Sequence, residues 1–260
     1  MIVVKSPLEV LVEYADAFRE LVNARVRGKN EAPSEAPSKA LRLNDPNDWN
    51  FICVTMDVIG DAALALENFL RFGLDGPSRY ESVGERYLRL YGLLSATYLQ
   101  QEAVLKLYRL MNCPKPDVVK VQISGLAVRT LRHQIASHSV DYRRPEGGKN
   151  QAFVPVRIGL QTFSCDVTEN RGGATHTINL DEAVSEHCSL LALILDTIFE
   201  KSMKTLFQGS TKKIAEFAER LDDLRFVRAG NVLIRGGDKN NPVTIRHVFV
   251  APGEVNAGDA

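Results

Sequence analysis

Apolar residues recur at three- and four-residue steps through most of the first 140 positions, the period of a helix buried along one face. From Pro7 to Ala24, Leu8, Leu11, Ala15, Phe18, Leu21 and Val22 form such a stripe and predict an amphipathic N-terminal helix within residues 1–27. The stretch GKNEAPSEAPSKA then repeats EAPS and carries two prolines. It offers no apolar face, so residues 28–41 are expected to be a flexible linker or long loop. Asp45-Pro46 suits a cap followed by a first-turn proline and predicts a long, largely buried helix ending at Gly73. Ser82 and Glu85 have capping-box spacing ahead of a third helix to about Met111. Its stripe is Leu90, Leu93, Leu94, Thr97, Tyr98, Gln101, Val104 and Tyr108. Cys113-Pro114-Lys115-Pro116-Asp117 breaks the chain, because proline disfavours helix at itself and at the residue before it. Asp117 is expected to cap a further helix whose stripe is Val121, Val128, Leu131 and Ile135, ending near Val140.

Beyond residue 150 the period drops to two. Val154, Val156, Ile158 and Leu160 alternate with Arg157 and Gln161, Glu169 to Gly173 reads as a turn, and Thr175 to Ile178 resumes the pattern, which predicts a β-hairpin. Asn179 and Glu182 read as a capping pair for a helix over roughly 180–207. Ser210 or Thr211 opens a shorter one to about Leu224, and FVRAGNVLIRGGDKNNPVTIRHVFV predicts a C-terminal hairpin. The expectation is a mainly α protein: an antiparallel helical bundle over 42–145, then 146–251 as β-hairpin and helices packed on it, and a disordered tail over 252–260.

With 45% hydrophobic and 25% charged residues, the 260-residue chain can bury a substantial core. No window approaches the ~18 uninterrupted apolar residues of a membrane span, and the N-terminus lacks a signal-peptide pattern, so a cytoplasmic protein is expected. Cys53, Cys113, Cys165 and Cys188 are scattered and form no C-x-x-C pair, which speaks against a zinc ribbon or a disulfide framework. Thirty-two basic and thirty-two acidic residues cancel, which argues against a broad polyanion-binding surface. From Asp117 to Lys149, however, six Lys and Arg face three Asp and Glu.

Two of the five histidines fall inside that basic stretch, in LRHQIASHSVDY at 131–142. Arg132 and His138 both flank Ile135 on the predicted helix, about 9 Å apart along its axis. Such a pair can divide chemistry on a phosphodiester: a permanent guanidinium stabilises charge, and an imidazole moves protons near neutral pH. Arginine and histidine at the rim of a buried stripe also serve simply to cap or snorkel. His176, Asp181, Glu182, Glu186 and His187 are ligand types without an H-E-x-x-H spacing, so neither a metal site nor a cofactor is expected. The tyrosines of the third helix, Tyr98 among them, are expected in core and interface.

Arg132, the polar His133 and then His138 after five intervening residues, late in a helical bundle, resemble the motif of the HEPN superfamily. That motif places four to six residues between arginine and histidine. The resemblance covers roughly residues 46–142. It implies a homodimer whose paired motifs form a metal-independent ribonuclease site, with Arg132 and His138 catalytic and His133 supporting. It further implies RNA as substrate and a defence or toxin-antitoxin setting, with an antitoxin or nucleotidyltransferase as partner. Other members are inactive and bind a nucleotide or a partner protein. One antitoxin-paired branch has a tyrosine two positions after the histidine; here that position is Val140, and the tyrosine is Tyr142.

Overall fold

The computed structural model describes residues 4–27, 35–78, 82–143, 147, 149–170, 172–238 and 241–248. Among these the chain is mainly α, with two small antiparallel sheets. Helix α1 spans Pro7–Val26, with Ser6 and Glu9 closing a reciprocal capping box at its start. Helix α3, Asp48–Phe72, and helix α4, Val83–Leu110, run antiparallel: Lys106 lies over the Phe51 ring, Gln100 donates to the Ile59 carbonyl and Arg89 reaches Asn68. Helix α7, Leu180–Leu206, packs along α1 and against α4, and α8, Thr211–Arg228, packs on α1 and α7. One apolar cluster extends from Leu8 to Val227, so the boundary at 145 divides the sequence but not the core.

Several helix starts follow the sequence reading. The Ser82 hydroxyl accepts from the Glu85 amide, and the Asn179 side chain accepts from Asp181 and Glu182 amides. Others do not. Residues 35–41 of the expected linker form helix α2, which buries Ala36, Ala40 and Leu41, and Arg25 Nε donates to the Ala40 carbonyl. Two alanines four apart supply the apolar face that the proline-rich composition concealed; residues 28–34 lie outside the described part. Helix α3 begins three residues after Asp45, because the Asp45 carboxylate accepts from the Asn47 amide and leaves Pro46 in a turn. It is also amphipathic rather than largely buried: Ile52, Met56, Ile59, Leu66 and Phe69 face inward while Phe51, Val54 and Leu64 are exposed. By length and composition it is the one described helix able to cross a membrane. Helix α8 continues four residues past Leu224.

The expected hairpin after residue 150 is a three-stranded meander of β1 (Phe153–Gln161), β2 (Ser164–Glu169) and β3 (Thr175–Asn179). A two-residue turn at Thr162-Phe163 was hidden inside the apolar run. The Thr162 carbonyl accepts from Leu74 N (2.8 Å), and a Cβ at Gly73, where φ is +59°, would collide with that carbonyl. The inward face of β1 is also the opposite of the expected one. Phe153 and Pro155 are buried, Val154 and Ile158 are exposed, and a register shift between Pro155 and Leu160 returns Leu160 to the core. The C-terminal hairpin appears as β4 (Val232–Asp238) and β5 (Asn241–His247), tied to α8 by Arg235 and Arg246 on the buried Asp223 carboxylate. The expected disordered tail, 252–260, lies outside the described residues.

The cysteines are free thiols; Cys113, Cys165 and Cys188 are buried, and burial pushes Cys165 and Cys188 up to about 12. His187 is fully buried between Gln100, whose Oε1 lies 2.8 Å from its Nε2, and Gln101, whose Nε2 lies 3.2 Å from its Nδ1. Burial depresses its pKa from 6.5 to about 3. The unfolded chain therefore takes up a proton below pH 6.5 that the folded chain refuses until about pH 3, and stability falls as pH falls through that window. Urea unfolding should show a loss of about 2 kcal/mol from this group between pH 6.5 and 5, at about 1.4 kcal/mol per pH unit. His187→Gln should flatten that dependence; an unchanged slope would place the titration elsewhere.

Candidate functional site

The segment carrying Arg132, His133 and His138 is three pieces rather than one helix. Helix α5, Pro116–Ser124, has Lys115 as its cap residue, with Asp117 inside the first turn. Gly125 ends it, Leu126 is extended, and α6 covers Ala127–Arg132. The break rotates the stripe: Val121, expected inside, is 71% exposed, whereas Val128, Leu131 and Ile135 are buried. From His133 to Ser137 the backbone is π-helical, and His138 donates its amide to the His133 carbonyl at 2.9 Å. The wider turn moves His138 round relative to an α-helical position. The chain beyond is fixed to the sheet, since Phe153 N donates to Ser139 O, Tyr142 pairs with Gln151, and the Tyr142 ring meets Phe153 edge-on.

The Tyr98 ring of α4 is the platform of the site. The guanidinium of Arg132 lies 3.6 Å from its centroid and that of Arg129 lies 4.3 Å away. Arg129 is further held by Glu102 (2.9 Å) and Gln101 (3.2 Å), and its Nε donates to His133 Nε2 at 3.2 Å. Because His133 accepts there, its proton belongs on Nδ1. Burial first, then the positive charges of Arg129 and Arg132 and the neighbouring His138, hold His133 below the usual histidine pKa. His133 is thus a neutral imidazole near pH 7.

His138 has a different environment. Its side chain is 53% exposed, its ring lies parallel to that of His133 with centroids 6.1 Å apart, and its Nδ1 is 3.3 Å from Asp141 Oδ1. With Nδ1 turned to the carboxylate, Nε2 is the nitrogen left to exchange a proton with a ligand. A continuous polar chain runs inward from the motif: His133 to Arg129, Arg129 to Gln101, and Gln101 to buried His187.

The structure therefore gathers the three expected residues into one neighbourhood, but not as a touching pair. Among the described residues no hydrogen bond or ring contact joins Arg132 to His138; His133 bonds Arg129 on one side and lies against the His138 ring on the other. Sequence reading missed Arg129, Gln101, Glu102 and Asp141 as members, and placed Tyr98 in a core and interface stripe. The available signal was spacing, with Arg129 four residues before His133 and Asp141 three after His138. His176 lies exposed on β3 while His187 is inside the bundle, so these sequence neighbours do not converge. A cavity of about 1350 Å³ among Lys5, Leu8, Val12, Leu64, Asp181 and Val184 is bounded by α1, α3 and α7 and contains none of the motif residues. Comparison with protein-family models, with curated proteins and with solved structures finds no match to this chain.

Proposed function

We propose that the chain is an HEPN-like, metal-independent endoribonuclease that acts as a homodimer on RNA. The observation that carries this reading is the unlike treatment of two stacked histidines beside two guanidiniums: His133 is held neutral by burial and by Arg129 and Arg132, while His138 stands half-exposed against Asp141. In the reaction the RNA 2′-hydroxyl gives its proton to solvent water as its oxygen attacks the adjacent phosphorus, the P–O5′ bond breaks, and the products are a 2′,3′-cyclic phosphate and a 5′-hydroxyl. His138 Nε2 serves proton transfer, donating to the leaving 5′-oxygen when protonated. Arg132 supplies fixed positive charge to the phosphorane, and Tyr98 holds it in place. His133 stays neutral and orients the pair. An exposed shelf rather than a closed cavity suits a polymer, and one copy offers one such shelf.

The second reading is an inactive relative of the same fold that binds a nucleotide or a partner protein. Two observations favour it: the net charge is zero, and Arg132 lies on Tyr98 instead of meeting His138. A defence or toxin-antitoxin setting with an antitoxin or nucleotidyltransferase partner belongs to the first reading. Purified protein incubated with a structured RNA pool in chelator separates the two. The first expects fragments ending in 2′,3′-cyclic phosphate. RNA that stays intact selects the second.

A further inference from the structure

We propose that the outward stripe Leu88, Gly92, Ser95 and Leu99 of α4 is the surface on which a second copy of this chain sits, antiparallel, about a twofold axis between Gly92 and Ser95. The proposal deepens the composite-site reading and rests on it for its functional consequence, though not for the contact itself.

The stripe holds two leucines in solvent on either side of two small residues. Leu88 is 68% exposed and Leu99 53%, with Tyr91 partly exposed beside them. Their spacings of four, three and four residues put them on one face of the helix, and the pattern is the same in both directions. A twofold interface requires a self-complementary patch. Antiparallel pairing sets Leu88 of one copy against Leu99 of the other and Gly92 against Ser95, so small residues meet at the crossing and leucines flank it.

Gly92 supplies a second argument. A glycine inside a helix costs about 1 kcal/mol relative to alanine, and a Cβ there would meet nothing within 4 Å. Nothing in the single chain calls for the missing side chain; close approach of a second helix does. Beyond Leu99 the same face turns charged, with Glu102 and Arg109 exposed, giving an apolar centre and a polar rim. About this axis the antiparallel overlap runs from Val83 to Val104, about 33 Å, and a strip about 15 Å wide gives roughly 500 Å² per copy, or about 1,000 Å² in all, the floor for a specific interface.

The contact also completes the site. Tyr98 adjoins Leu99, so pairing about this axis brings the two Tyr98 platforms to within about 14 Å of each other along the helix, each carrying its Arg132. Two arginines and two His138 rings then border one cleft.

Light scattering of the full chain at about 20 μM should give a dimer, and Leu88→Glu/Leu99→Glu should give a folded monomer. Val121→Glu, on exposed α5, should leave the dimer unchanged. In a Cys53→Ser background, Ser95→Cys should cross-link to itself under mild oxidation, and Val121→Cys should not. A monomeric wild type, or a dimer that survives the double glutamate variant, overturns the proposal. RNA cleavage by the same samples distinguishes it from the ribonuclease reading: a dimer through α4 that leaves RNA intact keeps the interface and removes the nuclease, and a monomer that cleaves does the reverse.

Discussion

His138→Ala should lower RNA cleavage by about 10²–10⁴-fold, the usual cost of losing a proton-transfer group, with little change in thermal stability. The stability half of that expectation follows from exposure: the ring is half in solvent and its polar partner, Asp141, is exposed too. Arg132→Ala should cost a comparable factor through lost charge stabilisation, and the double variant should lose less than the product, because the two groups act as one unit. His133→Ala should have a smaller effect on rate. Initial rates on a single RNA, with circular dichroism melts of each variant, test all four. Cleavage that persists in His138→Ala would reduce the motif to a packing element.

Asp196→Ala should destabilise the fold by about 1.5–3 kcal/mol, the range for hydrogen bonds to charged groups, because the arginines left behind are partly in solvent and Arg225 keeps Glu200. Asp196 Oδ2 accepts from the Tyr14 hydroxyl (2.8 Å) and from Arg228 (2.8 Å), and Arg225 binds the carboxylate through two nitrogens at 2.9 and 2.7 Å. Burial alone would raise the Asp196 pKa, but the hydrogen bonds from Arg225 and Tyr14 and the charges of Arg228 and Arg225 outweigh it and hold the carboxyl below its usual range. Burial and the adjacent carboxylate push the Tyr14 hydroxyl up. Without Asp196, two arginines and a phenol at the α1–α7–α8 junction lose their shared acceptor. Urea midpoints of wild type and Asp196→Ala measure the loss; a change under 1 kcal/mol would mean that solvent replaces the carboxylate.

What the sequence revealed and what it hid divide along physical lines. Caps were legible because a serine or asparagine meets amides two or three residues away: Ser82 and Asn179 begin their helices where expected. Helix α2 was not, because Ala36 and Ala40 form a face only once α1 and α3 are there to receive it. The β1 face was misjudged because alternation identifies two faces without saying which is inward, and the bulge before Leu160 switches them partway. At the site, Arg132, His133 and His138 were found together because they are close in sequence. Tyr98, Gln101 and Glu102 arrive from another helix, and the π-helical turn that sets His138 apart leaves no mark in the apolar period.

The most direct test of the central claim is single-turnover cleavage, in chelator, of one RNA and of its analogue with a single 2′-deoxy substitution at the mapped scissile nucleotide. Attack by the 2′-oxygen predicts that the RNA yields a 2′,3′-cyclic phosphate and that the analogue is not cut at that position. Equal cleavage of both, or an RNA that remains whole, would contradict the assignment of Arg132 and His138 to this chemistry.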